Sequence, residues 1–346
     1  MEDFISRSLN RRNIIRGTLF FTVCTIIGLS VSFLWSDTKE IGKVLRSIRA
    51  DFIFLSVLCM CSDWLNGAVR LHIFARKMSS QVTFFDSIRA GLASICVGGI
   101  TPLQTGGVAH IYIYNRVGVP VSGGMTIGII SFICTLAFLI LAVCGVMQWN
   151  SDVLPEKIQF IRYSVLMFII VFLFFMMMVV KPEALLYPLD RLRLPQRRGF
   201  RFISNVLEKL TLRLERLILE HKAFTRMFIT EHKTVWILSL ILSGGIYISR
   251  FICGYLIVRA LGSDAPFWDV VTIQVILQFV TLFAPSPGAS GIAEFLTAIL
   301  MKSLLPAGAV GIYTLLIRFF SCYLGVAIGG FVLISQLAKD FNQQKW

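Results

Sequence analysis

Charged side chains lie inside long apolar stretches of the sequence, and they are the first candidates for chemistry. Asp63 and Arg70 share one stretch, Arg250 lies in another, and Glu294 and Arg318 lie in two more. Charged groups inside a membrane are costly, so those that remain commonly pair or contact a charged ligand. Arginine suits a phosphate best, because its planar guanidinium binds two oxygens. Glu294 and Arg318 could pair, either as a helix tether or as a gate or headgroup contact.

The residues around Arg70 recur at helical spacing. Asp63, Asn66 and Arg70 are separated by steps of three and four, which places them on one helix face. That face either lines a polar cavity or extends toward the cytoplasmic surface. The same two interpretations apply to Arg250, so both arginines and Asp63 are candidate headgroup contacts.

Two polar stretches interrupt apolar runs, namely ITPLQTGGVAHIY at 100–112 and FAPSPGASGIAEF at 283–295. Prolines predict that a helix breaks there and restarts. A restarting helix offers unpaired N–H groups and a partial positive charge, which can hold an anion such as phosphate. Glycines let a headgroup approach the backbone. The candidate contacts are therefore Thr101, Pro102, Gln104, Gly106, Gly107 and His110, and in the second stretch Pro285, Pro287, Gly288, Ser290, Gly291 and Glu294.

The two stretches belong to a predicted internal repeat of 84–111 with 267–295. Each copy begins with an aromatic pair and an aspartate, Asp86 or Asp269, and closes on Gly-aliphatic-Ala-polar-apolar. The offset between the copies is the same at the aspartates and at the closing glycines, except for a slip of one position. Three predicted crossings lie between the copies, and an odd number inverts the second copy. Inverted repeats whose broken helices meet near the membrane midplane are a recurring transporter plan.

Composition sets the fold class. The chain has 346 residues, of which 56% are hydrophobic and only 15% charged, with a mean hydropathy of +0.77. We therefore expect an all-α polytopic integral membrane protein with about six full crossings and two Pro/Gly-broken re-entrant segments. The predicted crossings are 17–35, 52–75, 122–147, 163–180, 235–258 and 309–337, and the broken segments are 88–112 and 270–304.

We expect one membrane domain over 1–346, with a first half at 51–180 and a second half at 235–337. The basic segment 181–234 between them contains an amphipathic pattern and twelve Lys or Arg, so we place it in the cytoplasm. The same rule places both termini in the cytoplasm of a multi-pass cell-membrane protein. The loop 36–51 disagrees, because it falls outside yet contains four basic residues.

The net charge of +14 sits in membrane-flanking segments. It therefore indicates topology and attraction to anionic lipid rather than nucleic acid. The sequence contains no P-loop, no dinucleotide fingerprint, no hydrolytic triad and no cysteine or histidine pattern of a metal site. We expect no cofactor and no metal.

The quoted stretches, followed by LIRFFSCYLGVAIGG at 315–329, resemble the flippase-like membrane family named for the transmembrane region of lysylphosphatidylglycerol synthase. The motif falls on Thr101, Pro102, Gly106, Gly107, Pro285, Pro287, Gly288, Ser290, Gly291, Glu294 and Arg318. Two positions depart from it: Ala289 stands where the family often has Gly, and His110 where members often have Gln or Arg. The second departure weakens the case for a headgroup contact at 110.

The resemblance implies a translocase or scramblase that moves an anionic phospholipid or lipid-linked anion between leaflets. The soluble lysyltransferase domain of the full-length synthases is expected to be absent, since Trp346 follows the last predicted crossing closely. One alternative is a membrane-embedded enzyme on a lipid-linked substrate, using Glu294 and His110. Another is an accessory subunit that binds a lipid synthase through 181–234. The lipid, its direction, the energy source and the oligomeric state stay open.

Overall fold

The computed structural model of the protein describes residues 11–34, 38–101, 105–149, 159–181, 201–282 and 284–343. Within these ranges the chain is helical and has no strand, which confirms the predicted all-α membrane class. In chain order the helices are α1 (Arg11–Leu34), α2 (Thr38–Arg46), α3 (Ala50–Met78), α4 (Phe84–Ile100), α5 (Gly107–Arg116), α6 (Val121–Trp149), α7 (Gln159–Val180), α8 (Arg201–Thr230), α9 (Lys233–Ala260), α10 (Phe267–Thr281), α11 (Ile292–Met301), α12 (Ala307–Arg318) and α13 (Leu324–Gln343).

Five helical spans among the described residues are long and apolar enough to cross a membrane. They are Ile15–Leu34, Ala50–Met78, Val121–Val146, Lys233–Ala260 and Gly308–Lys339. Each coincides with a predicted crossing. The sixth predicted crossing, 163–180, lies within α7, whose 22 residues reach about 33 Å at the rise of an α-helix. The last span joins α12 to α13 through a π-helical turn at Phe319–Tyr323.

The connection predicted over 36–51 contains the short helix α2. Its Ile41 and Val44 pack against the cluster of buried residues formed by α9 to α12. A Cβ at Gly308 would lie 2.7 Å from the Cβ of Glu40, so α2 rests closely on the start of α12. Part of this basic segment is therefore an amphipathic helix fixed to the bundle.

Each predicted broken segment contains two short helices in succession. In the first, α4 starts with a capping box: the Thr83 hydroxyl accepts from the Asp86 N–H at 3.2 Å, and the Asp86 carboxylate accepts from the Thr83 N–H at 3.0 Å. Pro102 and Gln104 lie outside the described residues. In the second, α10 is followed by a 3₁₀ turn at Pro287–Ala289 and then by α11.

The helix starts recur along the chain at nearly constant separation. Helices α3 and α9 start at positions 50 and 233, and α4 and α10 start at 84 and 267, so the two offsets are identical. Helices α5 and α11 start at 107 and 292, and α6 and α12 start at 121 and 307, so these offsets are only slightly larger. This order of four elements extends the predicted repeat beyond its motif. The inversion of the second copy stays a prediction.

The contacts between helices follow the same correspondence between the two copies. The equivalent helices α3 and α9 make the most extensive helix contact among the described residues. Helix α4 packs on α13, and its counterpart α10 packs on α6. The two copies are therefore in contact with each other, chiefly through α3 and α9.

The amphipathic helix predicted within 181–234 is α8, which packs on α6 and α9. The Ser122 hydroxyl donates to the Glu220 carboxylate at 2.7 Å, and the Thr126 hydroxyl contacts the His221 ring at 2.7 Å. The Ser122 hydroxyl and the Arg216 guanidinium hold the pKa of Glu220 below its ordinary value. Helix α8 is thus fixed to the start of α6.

Candidate functional site

A cavity of about 640 Å³, lined by both polar and apolar groups, lies where the two broken segments meet. Helices α3, α4, α5, α6, α9, α10 and α12 contribute to its wall, together with the 3₁₀ turn and the π-helical turn. Its glycines are Gly67, Gly91, Gly98, Gly99, Gly106, Gly107, Gly128 and Gly288. A wall this rich in glycine exposes backbone to whatever fills the cavity.

The broken segments contact each other through backbone. Gly288 has φ +55°, and a Cβ there would lie 2.9 Å from the carbonyl oxygen of Gly99, at the end of α4. The next residue, Ala289, has φ +57°. This left-handed conformation costs a non-glycine residue about 1 kcal/mol. It gives a physical reason why glycine would suit position 289, where this chain has alanine.

Glu294 and Arg318 form the predicted ion pair, with Arg318 Nε donating to Glu294 Oε1 at 2.8 Å. The Glu294 side chain is completely buried and that of Arg318 is 9% exposed. Glu294 Oε1 also accepts from the Tyr323 hydroxyl at 3.1 Å, and Oε2 accepts from the Gly291 N–H at 2.6 Å. Both carboxylate oxygens of Glu294 therefore accept hydrogen bonds from within the protein.

Arg318 also binds the broken segment. One of its NH2 groups donates to the Gly288 carbonyl at 2.9 Å and to the Ser290 hydroxyl at 3.2 Å. Ser290 in turn accepts from Thr25 of α1 at 3.1 Å. The pair therefore tethers the turn before α11 to the last crossing, while Arg318 also lines the cavity.

A second ion pair joins the two halves of the chain across the α3–α9 contact. Arg250 Nε donates to Asp63 Oδ2 at 3.0 Å, and its NH2 group reaches Oδ1 at 3.4 Å. The Asp63 side chain is 5% exposed and that of Arg250 26% exposed. The guanidinium also lies 5.2 Å from the ring centre of Tyr247. Both charged residues line the cavity, in agreement with the cavity-facing interpretation.

Arg70 lines the same cavity with different partners. Its NH1 group donates to the hydroxyls of Thr135 and Ser243, each at 2.9 Å, and its Nε is buried with no hydrogen-bond partner. No carboxylate pairs with Arg70 in the part of the chain that the structure describes. A guanidinium held only by neutral oxygens retains its positive charge toward the cavity.

His110 faces the cavity from the first turn of α5. Its Nε2 lies 3.1 Å from the Gly124 carbonyl, so this nitrogen carries the proton and donates. Its Nδ1 lies 3.4 Å from the Ser94 hydroxyl, which can donate to it. A neutral ring satisfies both contacts.

The starts of α5 and α11 differ in charge. In α11, the Glu294 carboxylate accepts from the Gly291 N–H and so neutralises its own helix terminus. Helix α5 has no acidic residue in its first turn, and Gly106 and Gly107 line the cavity. Among the described residues, the first turn of α5 therefore has no acidic side chain of its own, in contrast to that of α11.

The predicted site residues fall into three groups. Those that line the cavity are Asp63, Arg70, Gly106, Gly107, His110, Arg250, Gly288 and Arg318. Those outside its lining are Thr101, Pro285, Pro287, Ser290, Gly291 and Glu294. Gly291, with φ +84°, instead borders a second, apolar cavity of about 510 Å³ between α1, α10 and α11. Pro102 and Gln104 lie outside the described residues.

Sequence reasoning missed the neutral partners of the arginines. Thr135 lies in the very apolar α6, and Ser243 of α9 also donates to the Ser239 carbonyl at 2.8 Å. Serines and threonines in membrane helices commonly bond to their own backbone, so their types alone do not mark a site. The one indication in the sequence was Arg70 itself, because an arginine inside a membrane helix needs a polar partner on a neighbouring helix.

The fold is that of a multi-pass helical membrane protein, with the 640 Å³ cavity between its two broken segments. The chain belongs to the family described as the lysylphosphatidylglycerol synthase TM region, whose model matches residues 18–329. It is also similar to a UPF0104 membrane protein of Archaeoglobus fulgidus (strain ATCC 49558), with 22% identity over 319 residues. That match covers 90% of this chain and 94% of the archaeal protein. The resemblance inferred from the motifs is thereby confirmed at the level of the family.

Proposed function

We propose that this protein is a translocase or scramblase that moves a lipid with an anionic headgroup between the two leaflets. The observation that supports this most directly is Arg70, a guanidinium that lines the cavity and whose described partners are the neutral hydroxyls of Thr135 and Ser243. A cation without a counter-charge in a low-dielectric setting attracts an anion strongly. A lipid phosphate supplies that charge at membrane depth.

The open terminus of α5 supports the same location. The first turn of α5 begins at glycines that line the cavity, and it contains neither a side-chain cap nor an acidic residue. Phosphate oxygens bind both helix termini and guanidinium forks. A headgroup between Arg70 and the start of α5 would use both, and the surrounding glycines leave it room.

The two ion pairs would have different roles during transport, because one lies within the second half and the other joins the two halves. Glu294 and Arg318 both belong to the second half and keep its broken segment attached. Asp63 and Arg250 belong to different halves, so their pair is an ionic contact that relative motion of the halves would change. Alternating exposure of the cavity through this contact requires no nucleotide site.

Two alternatives receive less support. An enzyme that used Glu294 and His110 would need a free carboxylate, yet both oxygens of Glu294 are engaged by donors. An accessory subunit would use α8, where Leu212 and Leu219 are exposed and could meet either a lipid synthase or the membrane surface. A synthase partner on 181–234 stays a prediction.

The test is a leaflet-accessibility assay on purified protein in liposomes, run with anionic, zwitterionic and neutral reporter lipids. We expect anionic lipids to equilibrate fastest and Arg70→Gln to remove most of the protein-dependent rate. Lys77→Gln is the matched control, because Lys77 is exposed on the same helix and does not line the cavity. Lipid movement no faster than in protein-free liposomes would contradict the proposal, as would a wild-type rate for Arg70→Gln.

A further inference from the structure

The charges around the cavity can be counted from their contacts. Arg70, Arg250 and Arg318 line it as guanidiniums, and Asp63 lines it as a carboxylate. Glu294 stands behind the wall but is bonded directly to Arg318. Three positive groups against two negative groups leave one positive charge, and the contacts of His110 are satisfied by a neutral ring.

We infer that the cavity selects a headgroup with a single negative charge, a phosphodiester, and that Asp63 sets this selectivity by neutralising Arg250. The inference rests on the proposed function and narrows its substrate class. An uncompensated charge beside buried side chains is penalised, so the occupied cavity is most stable when the charges cancel. A phosphodiester monoanion cancels the single positive charge. A phosphomonoester, which is mostly dianionic above its second pKa near 6, leaves an excess negative charge.

Asp63 differs from Glu294 in a way that makes it the selectivity residue. Glu294 is enclosed and its oxygens also serve Gly291 and Tyr323, so it maintains the fold around α11. Asp63 lines the cavity, and the hydrogen bonds of its carboxylate go to Arg250. Removing the charge of Asp63 would release Arg250 to a ligand, and the cavity would then hold two uncompensated guanidiniums.

A series of variants changes the charge count one step at a time. Asp63→Asn raises it to two, whereas Asp63→Asn combined with Arg250→Gln returns it to one. Arg70→Gln lowers it to zero. The double variant also removes the stranded arginine that could destabilise Asp63→Asn, so selectivity can still be measured if the single variant folds poorly.

The experiment measures the binding of two soluble headgroups to each purified variant at pH 8 by calorimetry. Glycerophosphoglycerol is the diester monoanion, and glycerol 3-phosphate is the monoester dianion. We expect the wild type to prefer the diester and Asp63→Asn to shift the affinity ratio toward the monoester by about tenfold or more. The double variant should restore the wild-type ratio, and Arg70→Gln should bind neither headgroup measurably.

A second experiment in liposomes compares the transport of phosphatidylglycerol with that of phosphatidic acid. It also shows whether the cavity accepts the headgroup of a lipid or a free soluble anion. Faster movement of phosphatidylglycerol by the wild type and of phosphatidic acid by Asp63→Asn would support the inference. Transport of both lipids at equal rates by every variant would overturn the selectivity and leave the translocase intact. Binding of the soluble headgroups without movement of any lipid would overturn the lipid assignment and the proposed function together.

Discussion

His110 and Glu294 occupy equivalent positions in the two broken segments, but only Glu294 returns its side chain to its own helix terminus. Each lies three residues after a glycine, Gly107 or Gly291, at the start of its short helix. Glu294 accepts from the Gly291 N–H, whereas the His110 ring contacts Ser94 and Gly124 instead. In the second broken segment a carboxylate of the protein therefore binds the start of the short helix. In the first, no side chain of the protein supplies a negative charge at the equivalent position.

This relationship predicts that His110→Glu makes the first copy resemble the second. The new carboxylate would accept from the start of α5 and neutralise the cavity, so it would compete with an anionic headgroup. We expect transport of anionic lipid to fall by about tenfold or more, with thermal stability in detergent at least equal to that of His110→Gln. His110→Gln, neutral and similar in length, is the control and should retain most of the transport. Transport by His110→Glu at the wild-type rate would show that this place holds no headgroup.

The glycines of the first broken segment should respond differently to added side chains. A Cβ at Gly107 meets only His110 Cε1, at 3.5 Å, so Gly107→Ala should fold and transport normally, whereas Gly107→Leu should fill the cavity and block transport. A Cβ at Gly106 would lie 2.2 Å from the Ser94 carbonyl oxygen. Gly106→Ala should therefore destabilise the protein by about 1–3 kcal/mol. A Cβ at Gly67 meets nothing within 4 Å, and alanine is the better helix former, so Gly67→Ala should not destabilise the protein and serves as the control. Normal transport by Gly107→Leu would place the headgroup path elsewhere.

Orientation in the membrane can be tested with single cysteines in a background in which the eight native cysteines are replaced. Gln148, exposed near the end of α6, is predicted to lie outside, and Arg226, exposed on α8, is predicted to lie in the cytoplasm. An impermeant thiol reagent should label Gln148→Cys on intact cells and Arg226→Cys only after permeabilisation. The reverse pattern would invert the predicted topology and the sidedness of both broken segments.

The sequence predicted those features that depend on composition and local pattern. The apolar runs located the crossings, and the proline and glycine motifs located the broken segments, because both effects act on a single stretch of chain. The pairing of Asp63 with Arg250 could not be predicted from the sequence, because the two residues are 187 positions apart and lie in different helices. The hydroxyl partners of Arg70 were equally hidden, because serine and threonine are common in apolar helices without being sites.

Sequence reasoning also treated the two broken segments as alike. Their difference arises from one side chain at the equivalent positions, His110 and Glu294, and from where each side chain turns. A rotamer that folds back to a helix terminus depends on the helices around it. Gly28 of α1, for example, would place a Cβ 3.1 Å from that of Glu294. Contacts of this kind between residues far apart in the sequence leave no pattern from which they could be predicted.

The last prediction concerns the stability of the Glu294–Arg318 pair. Removing one partner leaves a buried charge without its counter-charge, which typically costs about 3–5 kcal/mol. We therefore expect Glu294→Gln and Arg318→Gln each to lower the unfolding free energy in detergent by about this amount. The matched control is the exposed pair Arg49–Asp51, with side chains 54% and 57% exposed. Arg49→Gln and Asp51→Asn should each cost about 0–1 kcal/mol.

The double variant of this pair separates a tether from a ligand contact. If the pair is mainly a tether, Glu294→Gln with Arg318→Gln should cost less than the two single changes together, because neither charge is stranded. Some loss should persist, since Arg318 also binds the Gly288 carbonyl and the Ser290 hydroxyl. Transport should then recover in proportion to stability. A double variant that regains stability but no transport would instead make Arg318 a headgroup contact, and Arg318→Lys should then fail too, because lysine lacks the bidentate fork.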